Sequence, residues 1–369
     1  MDALSRRTFL AVAAGSPVAL RAAPAEPRAL PQFRRGGMIY RRLGQTDLYP
    51  SLLSLGSHTD PAFKRKVAHG TVLTEEGQAR RDRLLSRALD LGVNLVDTYE
   101  SDGQWEHVAR VVKPRRQAAL ISICRQFPML VGENIDRAAR LYGHVDLYRI
   151  YLNDVPALEG KGLADWDVMR KAKQAGKVRA IGIATHDERL MTTALRELEG
   201  LDYIMFPYNF IHARADYSEF LPKAVATGVG LIAIKPLAAG SIVRLDPRAQ
   251  PGSRPEQNFV QLYHTRYRPL HPAVAAELTR SLARLPDETL CQAALRFVYS
   301  RPFMTCAMPG MFEDHTLEEN VAGLRRHLEL SAQERAALDA AARFARDRGG
   351  SWLQPPYRWL DARWSPTCG

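Results

Sequence analysis

The sequence predicts an α/β fold, a (β/α)8 TIM barrel of parallel strands covered by helices. From Tyr40 onward eight short apolar runs alternate with amphipathic stretches at helical period, and glycines close several of those stretches. Length agrees: 369 residues, 46% hydrophobic and 25% charged, can bury a full core, and eight strands closing on themselves need no second domain. The same composition excludes a disordered or collagen-like chain and a multi-span membrane protein.

Taken in order, strands are expected at 52–57, 93–98, 119–124, 147–152, 180–184, 203–206, 230–234 and 305–308. Each is a short apolar run. Between them, apolar residues recur at helical spacing over stretches such as 78–91, 166–175, 189–198, 218–226 and 288–300, and Gly92, Gly176 and Gly228 stand where left-handed helix ends need glycine. The barrel is expected to occupy 39–345, with a Pro-rich stretch lacking a clear period at 244–285 read as a lid or binding-loop insertion. The tail 346–369 carries Trp352, Trp359 and Trp364 and is expected to dock on the barrel.

The first 25 residues read as an address. Ser5-Arg6-Arg7-Thr8-Phe9-Leu10 is a twin-arginine pattern, followed by an apolar run at 11–20 and an Ala23-Pro24-Ala25 cleavage candidate, with 26–38 as linker. The run is too short to be a permanent membrane anchor. The twin-arginine translocase is therefore an expected partner, and the periplasm or the cell exterior the destination.

Net charge is +11, from 51 basic and 40 acidic residues. Residues 1–42 hold eight Arg against Asp2 and Glu26, so the remainder is a mild excess that suits a solvated surface, with no nucleic-acid partner implied. Only nine of the basic residues are Lys. Four cysteines, Cys124, Cys291, Cys306 and Cys368, show no Cys-x-x-Cys spacing, so no zinc or iron–sulfur ligand set is visible. They are either buried thiols or, for Cys306 and Cys368, a disulfide formed if the tail folds back.

A set of motifs runs in order along the chain: the stretch 40–56, Gly92-Val-Asn-Leu-Val-Asp97-Thr98, Asp146-Leu-Tyr148, Gly176-Lys-Val-Arg-Ala-Ile-Gly182, Pro207-Tyr208-Asn209, Lys235-Pro236-Leu237-Ala-Ala-Gly240, Pro309-Gly310 and Glu318-Glu319-Asn320. Together they resemble the aldo-keto reductases, oxidoreductases built on a (β/α)8 barrel that binds NADP(H) across the C-terminal ends of its strands. The resemblance implies that family's tetrad: a Tyr that donates a proton to the substrate oxygen, a Lys that raises its acidity, an Asp and a His. Asp97 matches the Asp. The Tyr position, in register with Gly103 and Glu106, holds Asp102; the His position holds Tyr151; and the Lys position is Cys124 or Arg125, with no Lys between Lys113 and Lys161.

The resemblance therefore implies a degenerate tetrad. An ionised carboxylate donates no proton, and Arg cannot lend one near neutral pH. In the cofactor groove the usual Ser, Asn and Gln that hold the nicotinamide amide correspond to Ala184, Thr185 and Met205. Tyr208 matches the stacking platform under the nicotinamide ring, and Gly310, Glu319 and Asn320 match the adenosine end. Met311, Phe312 and Glu313 stand where a 2′-phosphate is usually met.

At the strand ends the chain also offers His58, Tyr99, His186 and Lys235, and Trp105 as an aromatic wall for a ring-shaped or sugar substrate together with Trp352, Tyr357 and Trp359. A His, Asp, Tyr and Cys set around one mouth suits a metal ion, Asp97 and Asp102 suit an acid/base pair, and Cys124 suits a nucleophile only with a base beside it. Three readings follow: an exported oxidoreductase acting on a small molecule, its site rebuilt for a different redox reaction with a nicotinamide cofactor or a metal; a non-catalytic barrel that binds a small ligand; or a reductase that uses Tyr99 or Tyr151 as its donor.

Overall fold

The computed structural model describes residues 29–68, 70–98, 103–125, 129–152, 158, 160–209, 219–237, 288–326 and 328–336. Residues 1–25, read as an address, Tyr99, Asp102, the stretch 244–285 expected as an insertion, Cys368, and Trp352, Tyr357 and Trp359 lie outside the described residues.

The chain opens with an antiparallel hairpin, β1 (Gln32–Arg35) and β2 (Met38–Arg41). Its first strand falls inside the stretch expected as a linker, and packing explains the difference. Buried Arg41 reaches the carbonyls of Tyr299, Arg301 and Met304 at 3.1, 2.9 and 2.6 Å, which ties β2 to the wall of the barrel. A second hairpin, β3 (Lys64–Val67) and β4 (Gly70–Leu73), follows the first barrel segment.

The wall itself is a parallel sheet of seven strands in sequence order: β5 (Leu95–Thr98), β6 (Leu120–Cys124), β7 (Val145–Leu152), β8 (Val178–Thr185), β9 (Tyr203–Pro207), β10 (Gly230–Ile234) and β11 (Cys306–Met308). The eighth member is the segment expected at 52–57, present as bridges that join the two edges. Leu53 pairs with Ala307 of β11 and Leu55 with Val96 of β5, and Ala307 N donates to Leu52 O at 2.8 Å. That closure removes the exposed sheet edges and makes the sheet a barrel.

Helices α1 (Glu75–Asp90), α2 (Gln104–Val112), α3 (Val131–Tyr142), α4 (Lys161–Gln174), α5 (Glu188–Glu197), α6 (Phe220–Thr227), α7 (Leu290–Tyr299) and α8 (Asp314–Leu324) surround it. Their starts follow capping chemistry: Thr74 accepts from Gly77 N, Asp187 from Arg189 N and Leu190 N, and Thr289 with Gln292 forms a capping box. After α1, Gly92 adopts φ +89°, and a Cβ there would sit 2.9 Å from the Tyr40 hydroxyl, so both backbone angle and space demand glycine.

Side chains alternate across each strand and sort into two apolar layers. Leu95, Leu147, Ala180, Ala184, Tyr203, Met205, Ile232, Cys306 and Met308 fill the barrel interior. Val96, Ile121, Tyr148, Ile150, Ile181, Ile183, Phe206, Tyr208 and Ala233 face the helices. This parity decides which strand-end residues can reach the mouth.

Candidate active site

Tyr151 ends β7 two positions beyond Arg149 and four beyond Leu147, so it shares their inward parity. His186 follows β8 with the parity of Ala184, and its turn is held by the Thr185 hydroxyl, which accepts from Asp187 N at 3.1 Å, while Asp187 caps α5. The two rings meet edge to face at 5.5 Å, and Tyr151 Oη lies 2.5 Å from His186 Nδ1. On the other side of the imidazole, Lys235 Nζ lies 2.7 Å from Nε2. Lysine, histidine and tyrosine thus form one hydrogen-bonded line across the ends of β10, β8 and β7.

The hydrogens follow from donor inventory. A charged Lys235 donates to Nε2, the imidazole proton then sits on Nδ1 and donates to Tyr151 Oη, and the phenolic proton stands at the end of the line. Burial draws the Lys235 ammonium down from 10.5 to about 8, so its proton is held loosely near neutrality. His186 is buried, whereas Tyr151 is 40% exposed and gives the line its open end.

A second polar cluster fills the adjacent wall. Arg149 grips Asp97 with two bonds, 2.6 Å from Nη1 to Oδ1 and 2.9 Å from Nη2 to Oδ2. The Ser122 hydroxyl donates to Asp97 Oδ1 at 2.8 Å and accepts from Arg149 Nη1 at 2.7 Å. Asp97 and the coulombic pull of its neighbours raise the Arg149 guanidinium further above its already high range, against the opposing effect of burial, which is the largest single contribution. Asp97 therefore serves as a fixed counter-charge. At the rim Arg125 pairs with Asp165 at 2.5 Å.

Several expectations need correction. Cys124, expected as a catalytic group, is buried beside this ion pair, and burial pushes its thiol up, so it stays protonated and is a poor nucleophile. Tyr208, expected under a nicotinamide ring, has outward parity. It is fully buried in the helix layer, stacked on Phe297 with ring centroids 5.7 Å apart, and its hydroxyl accepts from Arg301 Nε at 2.8 Å. Trp105, expected to line the pocket, is buried behind the barrel with its indole N–H donating to Thr98 O at 3.2 Å. For Cys306 the first of the two alternatives holds: it is a free buried thiol inside the barrel, where burial pushes it up to about 12.

The remaining positions are arranged as follows. His58 is half-buried just beyond the first barrel segment. Near α8, Asn320 is 1% exposed and its Nδ2 has no hydrogen-bond partner among the described residues. Glu319 accepts from the Thr289 hydroxyl, and a Cβ on Gly310 would meet nothing nearer than the Phe312 ring at 4.0 Å, which leaves that backbone approachable. Among the described residues no group of three or more His, Cys, Asp or Glu is placed to hold a metal ion. Sequence reasoning overlooked Arg149, and it quoted Asn209 within a motif without giving it a role. A charged residue at inward parity in the run Asp146-Leu-Tyr-Arg149-Ile-Tyr151 was the available signal for the first.

Comparison with known proteins gives the family and the fold. The model of the Aldo/keto reductase family matches residues 141–343, more than half of the chain. An L-glyceraldehyde 3-phosphate reductase of Escherichia coli K12 is 26% identical over 341 residues, covering 83% of this chain and 93% of that protein. The holo form of an aldo-keto reductase from Bacillus halodurans superposes with a TM-score of 0.63 at 20% identity, over 82% of this chain and 96% of that one. An aldo/keto reductase from Klebsiella pneumoniae, solved with NADP and acetate, gives 0.56 at 19% identity, over 81% and 93%.

Proposed function

The chain belongs to the aldo/keto reductase family, and from that premise we propose that it is an NADP(H)-linked oxidoreductase that interconverts a carbonyl and a hydroxyl group on a small molecule, with its proton delivered along Lys235, His186 and Tyr151. The observation that carries this reading is the pair of short bonds flanking the His186 ring. In this reading the donor, Tyr151, stands at the position the resemblance gives to the tetrad's His, while the Tyr position holds Asp102.

At the adenosine end the residues fit the cofactor. The buried Asn320 Nδ2 has no acceptor among the described residues, and Gly310 admits close backbone approach. Gly310, Glu319 and Asn320 would hold that end. When bound, NADPH supplies the hydride that reduces the carbonyl carbon. At the nicotinamide end Ala184 and Met205 offer no polar atom, and the Thr185 hydroxyl is engaged by Asp187 N.

The chain's own residues handle the proton. Tyr151 gives its phenolic proton to the substrate oxygen as charge develops there, takes the Nδ1 proton of His186, and His186 is resupplied at Nε2 by Lys235. One proton enters the substrate and one leaves the lysine: the phenol is restored, the imidazole is left as its Nε2–H tautomer, and the line resets when the imidazole returns to the Nδ1–H tautomer and Lys235 regains a proton. Asp97 and Arg149 cancel each other and keep the deeper wall free of net charge.

The apolar nicotinamide end also favours a second reading, a barrel that binds a small ligand without turnover. Titrating NADPH into the purified mature protein, then following NADPH oxidation with a panel of aldehydes, separates the two. Binding with turnover that Tyr151→Phe abolishes is expected; no binding leaves the ligand-binding barrel. The twin-arginine pattern supports export by the twin-arginine translocase to the periplasm or cell exterior. Arg6→Lys with Arg7→Lys should trap the precursor in the cytoplasm in a fractionation assay, and unaltered export would refute this.

A further inference from the structure

We propose that Asn209 is the residue that turns Lys235 into the barrel mouth, a positioning role that rests on the relay reading above. Strand parity sends Lys235 the wrong way. Ile232 and Ile234 point into the barrel and Ala233 faces the helices, so an extended residue 235 would also face the helices, away from His186. Instead Lys235 adopts φ +52°, the one positive φ at a non-glycine among the described residues.

That conformation is disfavoured twice, by the Cβ of lysine and by Pro236, which restricts the residue before it to extended geometry. Such a conformation persists where surrounding contacts over-determine it, and these cluster at functional sites. The holding contact here is Asn209, fully buried, whose Nδ2 donates to Lys235 O at 2.9 Å. One residue earlier, Tyr208 N donates to Ile234 O at 3.2 Å, so two consecutive residues after β9 clamp the last carbonyl of β10 and the one that follows it. The reversed backbone swings the lysine side chain to within 2.7 Å of His186 Nε2. Asn209 touches no reacting atom and acts through Lys235.

The test reads the lysine directly. Acetylation of Lys235 by acetic anhydride is followed against pH by peptide mass spectrometry in the wild type and in Asn209→Ser. Losing the clamp should move the labelling midpoint up toward the ~10.4 of an ordinary lysine and lower kcat by ~10- to 100-fold, with NADPH affinity unchanged. An unmoved midpoint overturns the proposal whatever happens to kcat. A moved midpoint in a protein whose turnover is absent, or indifferent to Tyr151→Phe, upholds the positioning role and rejects the relay.

A stability cycle gives a second, activity-independent reading. Asn209→Ser should lower Tm by several degrees in the parent and by clearly less in the Lys235→Gly background, because glycine needs no hold at a left-handed angle. Equal losses overturn the proposal. If Asn209→Ser fails to fold alone, recovery of folding in the Lys235→Gly background supports it and failure there overturns it.

Discussion

The Asp97–Arg149 pair and the Tyr151–His186–Lys235 line occupy neighbouring walls of one barrel mouth, and both are short, directional hydrogen-bonded sets. Their chemistry is opposite. In the first, a guanidinium that never deprotonates closes on a carboxylate through two parallel bonds, and no proton can leave. In the second, every member can both give and receive a proton, and burial has loosened the one on the lysine. Fixed charge and mobile proton are thus divided between two walls, whereas the family's tetrad, as the resemblance describes it, combines them around one tyrosine.

The sharpest way to break that comparison is to remove the donor. Tyr151→Phe should cut kcat by about 10²- to 10⁴-fold, the usual worth of general acid catalysis, while circular dichroism and NADPH affinity stay as they are. Retained turnover would mean that the proton comes from elsewhere. The neighbouring wall should answer differently. Arg149→Met leaves a buried carboxylate unpaired and should cost about 3–5 kcal/mol in urea unfolding. Much of that loss should return on adding Asp97→Asn, since the pair holds charge in balance and little more. Loss of activity at full stability in Arg149→Met would contradict the division.

Much of this was legible in the sequence, and the illegible part has a physical cause. Barrel strands announce themselves by apolar runs between helical periods, and seven of the eight expected segments appear as strands, with 52–57 reduced to bridges because it pairs at only two points. Parity along those runs already places Asp97, Tyr151 and His186 inward and Tyr208 outward. A motif match alone put Tyr208 in the mouth because it carries a residue type without its face. Lys235 is expected at a strand end and stands there, yet parity alone would turn it toward the helices, because its direction depends on one backbone angle held by an asparagine 26 positions away.

The lysine also separates the two walls by pH. Its folded value, about 8, lies below the unfolded 10.5, so the unfolded chain binds more protons between those values and this group makes stability rise with pH across about 8 to 10.5. The reductive rate should move the other way, falling as pH climbs through about 8 and the Lys235 proton is lost. Lys235→Met should flatten both slopes, read by thermal melts and by kcat against pH. His186 faces the ammonium directly, so His186→Gln should displace the limb, whereas the Asp97–Arg149 wall should leave it in place.

The smallest effect is expected at Cys124, which matters because it lies beside the fixed wall and at one of the two positions that the resemblance gives to the family's lysine. Its thiol is buried and raised, with Arg149 and Asp97 pulling it in opposite directions. If the wall only balances charge, Cys124→Ser should change kcat by less than about twofold and cost ~1 kcal/mol or less, in line with conservative substitutions away from catalytic contacts. Rapid alkylation of the native protein at Cys124 at neutral pH, or a large fall in kcat with the serine variant, would make the deeper wall a participant in proton traffic and erase the contrast on which the relay assignment depends.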